Sequence, residues 1–182
     1  MRILTLWQPW ASLVALGLKQ NETRSWFTRY RGPIAIHAAK RPFVSADGSK
    51  VLDREAHRVW LDALRLGYEL KLISGTGFPL AHQLPLGAVV AIAELEGCYK
   101  IEAKSLGREV NYFDGKEISA FIGNQNQTQL ELLVGNWAAN RFAWRFEQIK
   151  AISPILFKGS QGLRGVPDEL KILLQEAGVC LE

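Results

Sequence analysis

The chain has 182 residues, 20.4 kDa, 48% apolar and 22% charged, the make-up of one ordinary globular domain, so disorder as its general state is excluded. A chain of this size hides about 70% of its unfolded surface on folding, and neither disulfides nor a structural metal are required for stability. The net charge of +4 is too modest to assign a partner by itself.

In chain order, Arg2 to Trp7 alternates well enough for an opening strand. Pro9 suits the first position of a short helix, Trp10 to Leu16, that Gly17 ends. Asn21 to Thr28 reads as extended, and Gly32-Pro33 punctuates before a β-run from Ile34 to His37. From Lys50 to Leu66 apolar residues recur at three and four, with Gly67 as the stop, the clearest helix in the chain. Leu86 to Leu95 reads as a buried strand after Pro85. Residues 99–135 are polar, with Asn124-Gln125-Asn126-Gln127 inside, and read as an excursion or long loop off the core. Phe142 to Glu147 nearly alternates and places Phe142, Trp144 and Phe146 on one sheet face. Ile152 to Phe157 reads as another strand, Gly159 to Gly165 as a glycine-rich loop, and Asp168 to Ala177 as a terminal helix behind Pro167. The pattern predicts an α+β fold, a small mixed sheet or barrel with flanking helices, in one domain spanning 1–182.

Cys98 and Cys180 have no partner thiols or histidines at ligand spacing, which argues against a disulfide framework and a zinc module. Both read as reduced thiols in a cytoplasmic protein. The longest apolar run, Leu84 to Ala93, is ten residues and holds Pro85 and Gly87, whereas crossing a bilayer takes about 20, so no membrane role is expected. The apolar stretch behind Arg2 resembles a secretory signal at a glance, but Gln8 and Pro9 interrupt it and no small-x-small cleavage site follows.

Charge is unevenly distributed. Residues 1–41 carry seven Lys/Arg against Glu22, and 136–165 carry five against Glu147, while 42–135 and 166–182 each sum to −3. A fold that joined the two basic regions would present one positive face, which attracts nucleic acid first. The alternative is ordinary solvated surface.

The densest stretch is Gly17-Leu18-Lys19-Gln20-Asn21-Glu22-Thr23-Arg24-Ser25-Trp26. If Asn21 onward is extended, Glu22, Arg24 and Trp26 share one side, and Thr23, Ser25 and Phe27 the other. That trio suits a flat heteroaromatic ligand: Trp26 stacks, Glu22 accepts from ring N–H or exocyclic amines, and Arg24 holds a phosphate or a carbonyl. The plain alternative is that Glu22 and Arg24 satisfy each other beside a core tryptophan. Trp26-Phe27-Thr28-Arg29-Tyr30-Arg31 mixes aromatics with positive charge, as stacking plus phosphate neutralisation requires. Lys40-Arg41, Arg141, Arg145, Lys158 and Arg164 are further cationic candidates.

Familiar catalytic motifs are missing: no G-x-S-x-G elbow, P-loop, dinucleotide fingerprint or H-E-x-x-H, and His37, His57 and His82 are scattered in sequence. Neither a metal nor a cofactor is expected. For an enzyme, what remains is Lys19 close to Glu22 and the hydroxyls of Thr23 and Ser25, where a desolvated lysine could activate a hydroxyl or a water for acyl transfer.

Trp7-Gln8-Pro9-Trp10-Ala11, then Gly17-x-Lys19-x-x-Glu22-x-Arg24, then Tyr30-Arg31-Gly32-Pro33-Ile34-Ala35-Ile36-His37-Ala38 resemble the ASCH domain (activating signal cointegrator-1 homology) of the PUA-like superfamily. Gly87 to Ala91, Phe142-Ala143-Trp144, Pro154-Ile155 and Gly159-x-Gln161-Gly162-Leu163 are similar to that family's closing strands. The resemblance implies a small mixed PUA-like β-barrel, with a cleft bordered by the first helix and the Lys19-to-Arg24 loop, in a class expected to bind RNA or modified nucleobases. Some small bacterial relatives hydrolyse N4-acetylcytidine with the lysine and threonine of a G-x-K-x-x-T-x-R motif and a further glutamate. Here Lys19 and Arg24 keep their places, Glu22 stands where the threonine would, and Thr23 is one step along. No motif places the further glutamate; Glu94 is a guess. Nuclease activity has been associated with the family, and no residue here identifies it.

The leading expectation is a binding module for RNA, other single-stranded nucleic acid, or a nucleotide or nucleoside. In it Trp7, Gln8, Pro9 and Trp10 border a basic pocket, Lys19, Glu22, Arg24 and Trp26 engage the base, and Arg29, Arg31, Lys40, Arg41, Arg141 and Lys158 track phosphates. The second is an amidohydrolase on an acylated nucleoside, with Lys19 and Glu22 as acid/base groups and water or Thr23 attacking. A third is a protein-interaction role for 99–135. The oligomeric state is left open.

Overall fold

A computed structural model describes residues 1–74, 78–105, 109–113, 116–117 and 125–179. Along the chain run β1 (Arg2–Leu6), α1 (Trp10–Ala15), β2 (Asn21–Arg24), β3 (Gly32–Ala38), α2 (Arg54–Glu69), β4 (Ala88–Ser105), β5 (Glu109–Phe113), β6 (Lys116–Glu117), α3 (Gln125–Val134), β7 (Phe142–Leu156), β8 (Leu163–Gly165) and α4 (Asp168–Glu176). The main sheet has the order β2-β7-β4-β3-β1-β8, and β5 and β6 extend from β4 as an antiparallel arm. Among the described residues only β1 and β3 pair in parallel. No helix among the described residues is long and apolar enough to cross a membrane.

The fold is mixed α+β, as the pattern predicts, but the sheet is not closed. Among the described residues no ladder joins β2 to β1 or β8. Register shifts between Val89/Ala91, Ile92/Glu94 and Leu95/Gly97 bend β4 and β7 together, since each extra residue adds local curl. The bending brings β2 back toward β1, where Arg24 Nη2 donates to the Thr5 carbonyl at 3.2 Å. The open seam of the curled sheet is thus spanned by a side chain.

Three of the apolar clusters among the described residues position the site. Leu4, Leu6, Ile34, Ile36, Leu95, Trp144 and Phe146 fill the inside of the curled sheet, with Ala11 and Val14 of α1 against them. The predicted common face of Phe142, Trp144 and Phe146 is observed, with Phe142 packing on the cluster margin. Leu13 and Leu18 join Trp60 and Ala63 of α2 and Leu130 and Val134 of α3 in a second cluster. On the outer face Ile3, Ala35 and Val89 receive Leu170 and Leu174 of α4.

Five elements differ from expectation. β2 stops at Arg24 rather than Thr28 because the Trp26 ring docks edge-on against Trp144 at 4.5 Å and the Trp144 indole donates to the Trp26 carbonyl, turning the chain off the ladder. β7 is one strand where two were expected; a bulge that sets Ile152 to Pro154 opposite the single Val90 admits the proline. The glycine-rich loop holds β8, three residues paired to β1. Residues 99–135 continue β4 and supply α3, whose Leu130, Glu131 and Val134 are buried. At the other helix that reads clearly, the start is Arg54 rather than Lys50, because the Asp53 carboxylate accepts from Ala56 N at 3.1 Å and caps it.

Candidate functional site

The site begins where α1 ends. Gly17 has φ +72°, a conformation that costs a side chain energy but not glycine, and the amides of Leu18 and Lys19 both return to the Leu13 carbonyl. This turn drives Lys19 into the interior, where it is 1% exposed. Its ammonium donates to the Asn21 carbonyl and lies 3.5 Å from Glu22 Oε2. Glu22 Oε1 lies 3.2 Å from Arg24 Nε. That buried Nε has no aligned hydrogen-bond acceptor, so the contact is an ion pair rather than a hydrogen bond.

Behind this segment stands Glu131 of α3, fully buried. Its Oε1 accepts from the backbone amides of Gln20 and Asn21, the latter at 3.0 Å. Burial pushes its carboxyl above the usual range, while the charge of Lys19 and these hydrogen bonds pull it back. Glu131 Oε2 and Asn21 Oδ1 are buried without a hydrogen-bond partner.

Two cavities meet at Glu22 and Trp10. The first, about 230 Å³, is lined by Trp10, Lys19, Glu22, Thr23, Glu55, Val59, Leu133, Val134, Gly135, Asn136 and Arg141. The second, about 180 Å³, lies in the seam and is lined by Thr5, Leu6, Trp7, Trp10, Glu22 and Arg24. Trp10 is fixed by its indole N–H on the Val134 carbonyl at 2.8 Å. Thr23 Oγ1 accepts from Asn136 N, and its carbonyl accepts from Arg141 Nη2 at 2.9 Å. Lys19 and Arg24 flank the Glu22 carboxylate, and Glu55 and Arg141 line the first cavity with Lys19 and Glu22.

Lys19, Glu22, Thr23, Arg24, Trp7, Trp10 and Arg141 therefore come together. Gln8 does not reach the cavities: its amide donates to Ser12 Oγ and the Pro85 carbonyl, both at 2.8 Å, and accepts from Ser12 N. It is committed to the first turn of α1. Pro9 is buried beside it. Trp26 faces Trp144 and lines neither cavity. The cations divide by strand end. Ala38 pairs with Leu6 and Ala88, and Ala88 with Leu156, so Trp7, Lys40, Arg41 and Lys158 follow at one end of the sheet. Arg41 lies over the Trp7 ring at 4.5 Å, and the Lys40 stem packs on Gly87. Arg29 and Arg31 precede β3 at its opposite end, where Arg31 donates to the Thr28 and Tyr30 carbonyls. Glu94 pairs with Pro33 near Tyr30 at that end too, on strands that do not border Lys19.

Sequence reasoning missed Glu131, Asn136 and Glu55. Glu55 sits in the first turn of α2, and nothing in its spacing ties it to Lys19. Cys98 is a buried free thiol that accepts from Thr28 N, and burial raises its pKa; Cys180 lies outside the described residues. On the outer face His37 Nε2 donates to the Phe157 carbonyl at 3.0 Å, leaving Nδ1 to accept from Thr5 Oγ1 at 3.3 Å. Burial lowers the His37 pKa.

The sequence profile of the ASCH domain matches residues 4–134. The chain belongs to the ASCH domain family. Mouse activating signal cointegrator 1 is 30% identical over 95 residues, 52% of this chain and 14% of the mouse protein. Its human counterpart is 52% identical over 40 residues, 21% of this chain and 7% of the human protein. The matched segments are thus a small part of those proteins. Among solved structures, the ASCH protein from Zymomonas mobilis superposes with a TM-score of 0.49 at 14% identity, covering 96% of this chain and 93% of that one. A tyrosine-to-phenylalanine mutant of that bacterial protein gives 0.48 at the same identity, covering 96% of each chain. The ASCH family is generally thought to bind RNA.

Proposed function

We propose that this ASCH domain binds single-stranded nucleic acid, RNA foremost, seating one base in the seam cavity between β1 and β2. The observation that carries the reading is the lining of that cavity: two indoles, Trp7 and Trp10, beside one acceptor, Glu22, and one guanidinium, Arg24. Aromatic faces stack on any base, and the polar pair fixes its edge. A carboxylate at the centre repels phosphate, so the cavity takes the base and leaves the backbone outside. Lys40, Arg41 and Lys158, at the Trp7 end of the sheet, supply the phosphate contacts.

Fluorescence titration with a single-stranded RNA oligomer tests this through the Trp7 and Trp10 emission. Three neutralised phosphates give a slope of about −2 in log K against log salt, and Trp7→Ala weakens binding by about 1–3 kcal/mol. Salt-independent binding, or none at low salt, refutes the reading. A second reading, hydrolysis of an acylated nucleoside, draws on the first cavity, where Lys19, Glu22 and Thr23 all line the wall. Release of cytidine from N4-acetylcytidine that disappears in Lys19→Ala supports it, and no turnover removes it.

A further inference from the structure

We infer that the base selected by the seam cavity is guanine. This rests on the nucleic-acid reading and adds the identity of the preferred base. Glu22 is the decisive group. As an ionised carboxylate it only accepts, with about four lone-pair positions on two oxygens. Lys19 lies 3.5 Å from one oxygen and Arg24 3.2 Å from the other, so positions remain on both. Glu22 borders the cavity and stands between the two cations.

A carboxylate with both oxygens available is matched by two adjacent donors. Guanine alone among the four RNA bases presents them on its Watson–Crick edge, at N1–H and the N2 amine. Adenine offers the N6 amine beside the N1 lone pair, and cytosine the N4 amine beside the N3 lone pair. Each would set an acceptor against an acceptor. Uracil offers one N–H between two carbonyls, with the same conflict on both sides. An acceptor left facing a carboxylate loses hydration without a replacement bond and adds repulsion between the two oxygens or between oxygen and ring nitrogen.

Arg24 completes the match. It has five N–H donors; one faces Glu22 and one reaches the Thr5 carbonyl, and its side chain is 29% exposed. The remaining donors suit guanine O6 and N7, the pair of acceptors that a guanidinium reads in preference to any other base edge. Acceptor and donor thus stand two residues apart on one strand and on one cavity wall, and the indoles of Trp7 and Trp10 supply the stacking surface. Stacking alone is indifferent to base identity, so the discrimination falls to Glu22 and Arg24.

The test uses the full wild-type chain and an eight-nucleotide oligouridylate in which one central position is uridine, adenosine, cytidine, guanosine or inosine. The guanosine oligomer binds tighter than the other three standard ones by between about fivefold and about 150-fold. Inosine, which keeps N1–H, O6 and N7 but lacks the N2 amine, binds more weakly than guanosine and loses part of that advantage. In Glu22→Gln, whose amide both donates and accepts, the guanosine-to-uridine affinity ratio falls toward one. The inosine arm leaves the protein untouched and decides the matter even if that variant does not fold. Equal binding of all oligomers with a normal salt slope overturns the guanine assignment and leaves nucleic-acid binding standing, as does a preference for adenosine or cytidine. Absence of binding to any oligomer at low salt overturns both.

Discussion

Replacing Glu131 separates two roles of one buried carboxyl. In Glu131→Ala the backbone amides of Gln20 and Asn21 lose their acceptor inside the protein. Each stranded donor costs about 1–3 kcal/mol, so about 4 kcal/mol is expected for the two. For a domain of this length that is a fall in Tm of about 8–16 °C. Glu131→Gln keeps the acceptor and turns the orphaned Oε2 position into a donor beside Asn21 Oδ1, so its cost at neutral pH is about 1 kcal/mol or less. The sign of the pH dependence follows from burial. Glu131 titrates above its ordinary 4.5 in the folded chain, so its stabilising share is whole below about 4.5 and is lost as pH rises through the raised value. The glutamine variant has no such loss and gains on wild type with rising pH. Thermal and urea unfolding by circular dichroism between pH 4.5 and 8 measures both effects. An alanine variant within 1 kcal/mol of glutamine, or curves that stay parallel in pH, refutes the clamp.

Two further outcomes follow from the outer face. A Cβ on Gly159 would fall well inside van der Waals contact of the His37 ring, so Gly159→Ala overpacks that contact and costs about 1–3 kcal/mol; an unchanged Tm shows that the loop yields freely. His37 has its pKa lowered from 6.5, chiefly by burial and in smaller part by Lys40, against the Phe157 hydrogen bond. Its stabilising share is therefore whole above about pH 6.5 and fades as pH falls through the lowered value. Wild-type Tm falls from pH 7 to pH 5 more steeply than that of His37→Gln, and equal slopes refute the assignment.

How much the chain reveals in advance depends on where each residue's partner lies. The Gly17 stop, the Asp168 helix and the Phe142/Trp144/Phe146 face are local patterns, and each is present. Trp26 is misplaced when strand alternation is carried past Arg24, because its true partner, Trp144, is 118 residues away. The segment 99–135 reads as an excursion off the core although α3 buries Gln127, Thr128 and Glu131 beside Leu130 and Val134; polar residues that serve the interior are indistinguishable by composition from solvated ones. The basic face is over-read for a related reason. Net charge along the chain does not show that Lys19 and Arg24 are met by Glu22, or that Arg29 and Arg31 stand across β3 from Lys40.

The bond from Arg24 to the Thr5 carbonyl gives one guanidinium two employments. It stitches the lip of an unfinished cylinder, and it greets whatever enters there. A guest that leaves the stitch in place tightens the lip around itself; one that tugs the guanidinium free loosens it by about 1 kcal/mol. Fit to the hollow and rigidity of its rim are therefore tuned by the same side chain, and neither can be altered by substitution at position 24 without altering the other.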